Sequence, residues 1–174
     1  MELIQVFDSF LSEDDLKRIT MIVESKTWTF GHESDQTNKN SCPFWTVDLI
    51  KEPFFTEYLK CKIEEYLHIR TSLNRVYLNG QTYGQNGTFH QDDHNENTYT
   101  FCLYLFGHDN TDGSIIIKVP GDKRMVAIEP IHNRAVYFPS NYFHKGDAFN
   151  RFHPGLRVCV AWKFRLLFYA HLYI

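Results

Sequence analysis

Apolar and polar positions change rhythm once along the chain, from helical spacing to strand texture. In the stretch SEDDLKRITMIVESK, Ser12 with Asp15 forms a capping-box pattern in which Asp replaces the usual Glu, and Leu16, Ile19, Ile22 and Val23 recur at helical spacing. This predicts an amphipathic helix over 12–26. Residues 30–43 (FGHESDQTNKNSCP) are polar without a period and read as an exposed loop. After Pro53, a favourable first helical residue, FFTEYLKCKIEEYL sets Phe55, Tyr58, Leu59, Ile63, Tyr66 and Leu67 on one stripe, which predicts a second helix. From Asn74 onwards short runs rich in Val, Ile, Tyr and Phe alternate with Gly, Asn, Asp and Pro. They are RVYLNG (75–80), YTFCLYLF (99–106), SIIIKV (114–119), MVAIEP (125–130), RAVYFP (134–139) and RVCVAWKFRLLF (157–168). Strands joined by turn-rich loops, with helices gathered at the N-terminal end, predict one α+β domain on a sandwich or jelly roll. The expected division is helical support over 1–72 and a jelly-roll core over 73–168, within a single domain spanning 1–174.

Composition adjusts this picture in a few places. With 174 residues, 43% apolar and 22% charged, the chain can bury one ordinary core, and disorder or a fibrous repeat is a poor reading. The aromatic share of 16% agrees with the strand texture. A net charge of −3 lacks the basic excess of a nucleic-acid footprint, so nucleic acid is not an expected partner. The cysteines Cys42, Cys61, Cys102 and Cys159 form no CxxC pair and read as buried or idle thiols. No basic leader and no apolar run of about 20 residues is present, so a cytoplasmic protein without a membrane span is expected.

The chemistry concentrates in QNGTFHQDDHNENT. His90 and Asp92, two apart, share one face of an extended chain, so a ring nitrogen and a carboxylate oxygen can meet one metal ion. Spacing alone is a weak signal, because His94 and Glu96 repeat it. The first pair gains from His144, which follows a predicted strand in a fold that brings distant strands together. Two His and one carboxylate are the facial triad of non-haem Fe(II) oxygenases, with positions left open for substrate and dioxygen. Arg157 begins the next strand, where a guanidinium could fork onto a dicarboxylate. Competing histidines are His108, His132 and His153. The last lies close to Arg157 in the chain and ranks below His144 as a ligand.

In their order, these residues resemble the Fe(II)/2-oxoglutarate-dependent dioxygenases, and within them the prolyl 4-hydroxylase-like branch. The resemblance runs from Tyr77 to Phe164. It rests on Tyr83, Gly87, His90 and Asp92; on YTFCLYLF, DGSIIIKVPGDK and IEPIHNRAVYFPS; on HKG at 144–146; and on LRVCVAWKF. The pattern departs from that branch in a shorter turn before His90, in Gly113-Ser114 where a double glycine is usual, and in Phe106 where Asn is usual.

The resemblance implies a double-stranded β-helix, a cupin-like jelly roll with supporting N-terminal helices. It implies Fe(II) on His90, Asp92 and His144, 2-oxoglutarate paired with Arg157 and hydrogen-bonded by Tyr104 and Tyr83, dioxygen as co-substrate, and ascorbate as a candidate accessory. Aromatic lining is expected from Tyr83, Tyr104, Phe138 and Trp162. The implied activity is a hydroxylase of prolyl 4-hydroxylase type acting on a peptide or protein residue, with conversion of 2-oxoglutarate to succinate. Hydroxylation of a free amino acid or other small molecule is the alternative. A cupin-type metal protein without 2-oxoglutarate would leave Arg157 unexplained, and a silent binding module would have no need of all three ligand types.

Overall fold

The computed structural model describes residues 3–35, 38–106 and 112–169. Ser12 caps the first helix, α1 (Glu13–Glu24), by accepting from the Asp15 backbone N–H, and its hydroxyl also donates to the Asp15 carboxylate. The second helical stretch starts with a π-helical turn over Phe54–Leu59 and continues as α2 (Lys60–Leu67). The π turn widens the period, so Phe54, Phe55, Leu59 and Ile63 are buried, whereas Tyr58 leaves the expected stripe and stacks on Phe54 near the surface. Tyr66 also faces outwards. No helix among the described residues is long and apolar enough to cross a membrane.

The described residues form ten strands: β1 (Gln5–Phe7), β2 (Thr29–His32), β3 (Phe44–Asp48), β4 (Ile69–Gln81), β5 (Thr98–Tyr104), β6 (Ile115–Lys118), β7 (Met125–Ile128), β8 (Ala135–Pro139), β9 (His144–Gly146) and β10 (Arg157–Tyr169). Each of the six expected runs forms a strand. Four further strands are short: β1, β2 and β3 come from the N-terminal third, and β2 takes residues 29–32 out of the expected loop. Seven strands make the major sheet in the order β1-β8-β5-β10-β4-β3-β2, and β7-β6-β9 make a minor sheet. All pairings are antiparallel. The architecture is α+β, a double-stranded β-helix whose helices back the major sheet.

Strand alternation feeds two separate cores. On β10, Val158, Val160, Trp162 and Phe164 join Ile19, Phe55, Leu59 and Ile63 in the larger core beneath the helices. The opposite face of the same strand sends Cys159 and Ala161 into a smaller core with Tyr104, Ile117 and Phe138 between the two sheets. The cavity opens beside this inner core.

Candidate metal and cosubstrate site

His90 and His144 are far apart in sequence but directly opposed in space. They form an antiparallel bridge in which each backbone N–H donates to the other's carbonyl, at 3.0 Å (His90 N) and 2.9 Å (His144 N). The Asp92 N–H donates to the Ser140 carbonyl at 2.9 Å, which fixes the turn that follows. Backbone pairing therefore brings the three side chains into one group, and their ligand atoms lie within 4.8 Å of one another.

The donor orientation suits a metal. Nδ1 of His90 lies 2.9 Å from the Thr88 carbonyl and Nδ1 of His144 lies 2.9 Å from the Tyr142 carbonyl. A carbonyl can only accept, so Nδ1 of each ring carries a proton and Nε2 is the ring atom turned to the site, the orientation usual around ligating histidines. Those Nε2 atoms face Asp92 at 3.4 Å (His90) and 3.3 Å (His144). Metal–ligand bonds of about 2 Å at right angles set neighbouring donors about 3 Å apart, so only a small contraction separates this arrangement from a facial triad. Phe138 packs edge-on against the His144 ring at 4.8 Å.

Asp92 is held from behind. Thr100 Oγ1 donates to Oδ2 at 2.6 Å, and the Lys163 ammonium donates to the same oxygen. Burial alone would raise the Asp92 carboxyl, but Lys163, His144 and His90 outweigh it and hold it well below the usual range. Burial lowers the His144 ring, which favours the neutral, ligating form. Lys163 stays charged, since the attraction of Asp92 overcomes its desolvation.

A cavity of about 410 Å³ adjoins the triad, and its far end is closed by Arg157, which is 3% exposed. Nε of Arg157 donates to the Gly113 carbonyl at 2.6 Å and Nη1 donates to Gln81 Oε1 at 2.8 Å. No carboxylate pairs with this guanidinium among the described residues. A buried cation without a counter-charge is costly, and its remaining N–H groups suit an anionic ligand. Gly113, the retained member of the expected glycine pair, has φ +76°, and a Cβ there would lie 2.8 Å from Phe149 and 3.2 Å from Arg157 Cδ. Only glycine lets the loop approach the guanidinium so closely.

Tyr104 lines the cavity beneath Arg157, its ring 5.1 Å from the guanidinium carbon. Its buried hydroxyl makes no well-formed hydrogen bond among the described residues, and burial pushes its pKa well up, so it remains a donor. Tyr83 is 65% exposed and is absent from the cavity wall. Trp162 points into the other core, where Nε1 donates to the Phe55 carbonyl at 3.0 Å. Tyr77 and Phe44 supply aromatic wall in their place. His132 and His153 line a separate surface groove, His94 and Glu96 are exposed, and His108 lies outside the described residues.

Several wall residues escaped the sequence reading, although parity could have found them. The inward positions of β10 are Arg157, Cys159, Ala161 and Lys163, and those of β4 are Arg75, Tyr77, Asn79 and Gln81. Cys102 and Cys159, expected to be buried or idle, are buried free thiols on this wall, and their interaction lowers the Cys102 thiol and raises that of Cys159.

No protein-family model matches the sequence, and no curated protein matches it. Solved structures do resemble the fold. An oxidoreductase of the 2OG-Fe(II) oxygenase family from Burkholderia pseudomallei superposes with a TM-score of 0.74 at 9% identity, covering 94% of this chain and 85% of that one. A prolyl hydroxylase from Trichoplax adhaerens, in complex with a hypoxia inducible factor oxygen degradation domain peptide fragment, gives 0.72 at 14% identity, covering 95% and 84%. HygX from Streptomyces hygroscopicus, with nickel, 2-oxoglutarate and hygromycin B bound, gives 0.66 at 9% identity, covering 95% and 84%. At these identities the likeness establishes architecture: the chain has the double-stranded β-helix fold of the 2OG-Fe(II) oxygenases.

Proposed function

We propose that the protein is an Fe(II)- and 2-oxoglutarate-dependent hydroxylase, with His90, Asp92 and His144 as metal ligands and Arg157 as the anchor of the cosubstrate's distal carboxylate. The observation that carries this reading is the pairing of a complete donor set with a buried guanidinium that has no counter-ion among the described residues, across one cavity. A cupin-type metal site without a dicarboxylate would leave that guanidinium without purpose. When bound, the iron would supply the oxidative chemistry in which dioxygen and 2-oxoglutarate become succinate, carbon dioxide and a hydroxyl group on the substrate.

The chain's own residues supply orientation and exclusion of water. Arg157, steered by Gln81 and Gly113, fixes the dicarboxylate through charge-assisted hydrogen bonds, and Tyr104 is placed to donate to it. Thr100 and Lys163 hold the Asp92 carboxylate in register with the two Nε2 atoms. Apolar surface from Phe44, Tyr77 and Ile115 dries the wall. The structural neighbours hold a peptide in one case and hygromycin B in another, so peptidyl prolyl hydroxylation and small-molecule hydroxylation both fit the fold.

The test is succinate formation from 2-oxoglutarate by purified protein with Fe(II). His90→Ala is expected to abolish it. Arg157→Ala is expected to raise the half-saturating 2-oxoglutarate concentration by roughly 10- to 100-fold, the loss of one or two charge-assisted hydrogen bonds. Full activity of the His90→Ala protein would overturn the metal assignment.

A further inference from the structure

The cavity carries a second positive end. Arg75 and Lys163 are direct cross-strand partners of β4 and β10, and both line the cavity on the side away from Arg157. The register slips immediately beyond them: Lys163 faces Arg75 while Phe164 faces Leu73, so Asn74 is an extra residue. A bulge of this kind re-aims the neighbouring side chain. The Arg75 guanidinium lies over the Tyr77 ring, with its carbon 4.0 Å from the ring centre, and has no ion-pair partner among the described residues.

Charge and size narrow what can sit there. In the absence of metal, Lys163 is neutralised by Asp92. A divalent ion on the triad would share that carboxylate and weaken its neutralisation of Lys163, next to which the exposed Arg75 guanidinium adds a second positive charge. His32, on the same wall, cannot supply negative charge, because an imidazole is either neutral or cationic. The loop after β2 also places Glu33, Ser34 and Asp35 on the cavity lining. A lining that carries both a cation pair and carboxylates complements a zwitterion. At about 410 Å³ the cavity is at the low end of the ~300–1,000 Å³ typical of ligand pockets, and the cosubstrate must share it. An internal residue of a peptide carries no carboxylate on its backbone and would make no ion pair with Arg75, whereas a free amino acid can.

We infer that Arg75, with Lys163 beside it, is a specificity determinant that receives the carboxylate of a small zwitterionic substrate of the free α-amino-acid type, with the Glu33 carboxylate on the lining as the group available to its ammonium. This rests on the proposed function and selects the substrate class within it.

The test uses protein loaded with Mn(II), in place of Fe(II), and 2-oxoglutarate, so that binding is read without turnover. Isothermal titration compares the proteinogenic L-amino acids with their carboxamides, their N-acetyl derivatives, and tripeptides blocked at both ends that carry the same residue in the middle. At least one free amino acid is expected to bind tenfold or more tightly than its carboxamide and blocked peptide, and more tightly than its N-acetyl form. In Arg75→Ala the preference for the free carboxylate should collapse towards one, and in Arg75→Lys it should partly return. Equal or tighter binding of carboxamides or blocked peptides, or a preference that survives in Arg75→Ala, overturns the inference. Failure of the wild-type protein to bind 2-oxoglutarate in the loading step would overturn the underlying hydroxylase reading as well, and is seen separately.

Discussion

Lys163 is the residue at which this site departs most from what its motif spacing announces. A buried ammonium donates to the carboxylate that also belongs to the metal-donor set, so the metal-free protein already contains a positive charge where a divalent ion would act. Removing one member of a buried pair leaves the other uncompensated, which typically costs about 3–5 kcal/mol. Lys163→Met is therefore expected to lower the Tm of metal-free protein clearly, while Mn(II) restores most of the loss. The Mn(II)-induced rise in Tm should exceed that of wild type, and an equal rise in both proteins would show that Lys163 does not balance Asp92. Neither Lys163 nor Arg75 stands in a recognisable motif. They become visible only when β10 and β4 are read by parity, because alternate positions of RVCVAWK and RVYLNG point into the cavity and the rest into the helix-backed core. The same parity turns Trp162 away from the cavity, against the expectation from its aromatic character.

At the scale of elements, what could be read in advance follows signal length. The capped helix from Ser12 and the six strands that lie in runs rich in Val, Ile, Tyr and Phe carry enough signal to be recognised. By contrast, β9 is only HKG, too short to show alternation, yet it is the strand that delivers His144 to His90. The π-helical turn at Phe54–Leu59 was equally hidden, since a local widening of the helix leaves no mark in an apolar stripe. The joint between α2 and β4 gives an independent test of element packing. The buried Glu64 carboxylate accepts from Thr71 N at 2.6 Å, from Thr71 Oγ1 at 2.8 Å and from Lys60 Nζ at 2.7 Å. Burial pushes its pKa up, but these donors more than offset that and lower it overall. A carboxyl depressed in the folded state stabilises above its unfolded pKa of about 4.3, and that contribution is lost as pH falls through the folded value. Glu64→Gln should thus cost about 2 kcal/mol at pH 7, with the gap from wild type narrowing below about pH 4 in urea unfolding curves. A gap that stays constant down to pH 3 would mean that the ionised carboxylate does not hold this joint.

The whole molecule is three layers, helices on a major sheet and a minor sheet over the other face, and the layering explains why chemistry and stability separate so cleanly. One face of the major sheet builds the larger core, and the other, closed by β6 and β9, holds a cavity whose far end is Arg157 and whose near end is the triad with Lys163 and Arg75. Both ends are cationic, and the metal-donor set lies along the same wall. The arrangement thus predicts a cosubstrate on one side of the metal and a small anionic group on the other. The most direct test is a crystal structure of the protein with Mn(II) and 2-oxoglutarate. The account predicts density for one metal ion bonded to His90 Nε2, Asp92 and His144 Nε2, with the dicarboxylate chelating it and its distal carboxylate on Arg157. A metal elsewhere, or a dicarboxylate that leaves Arg157 without an anionic partner, would contradict it.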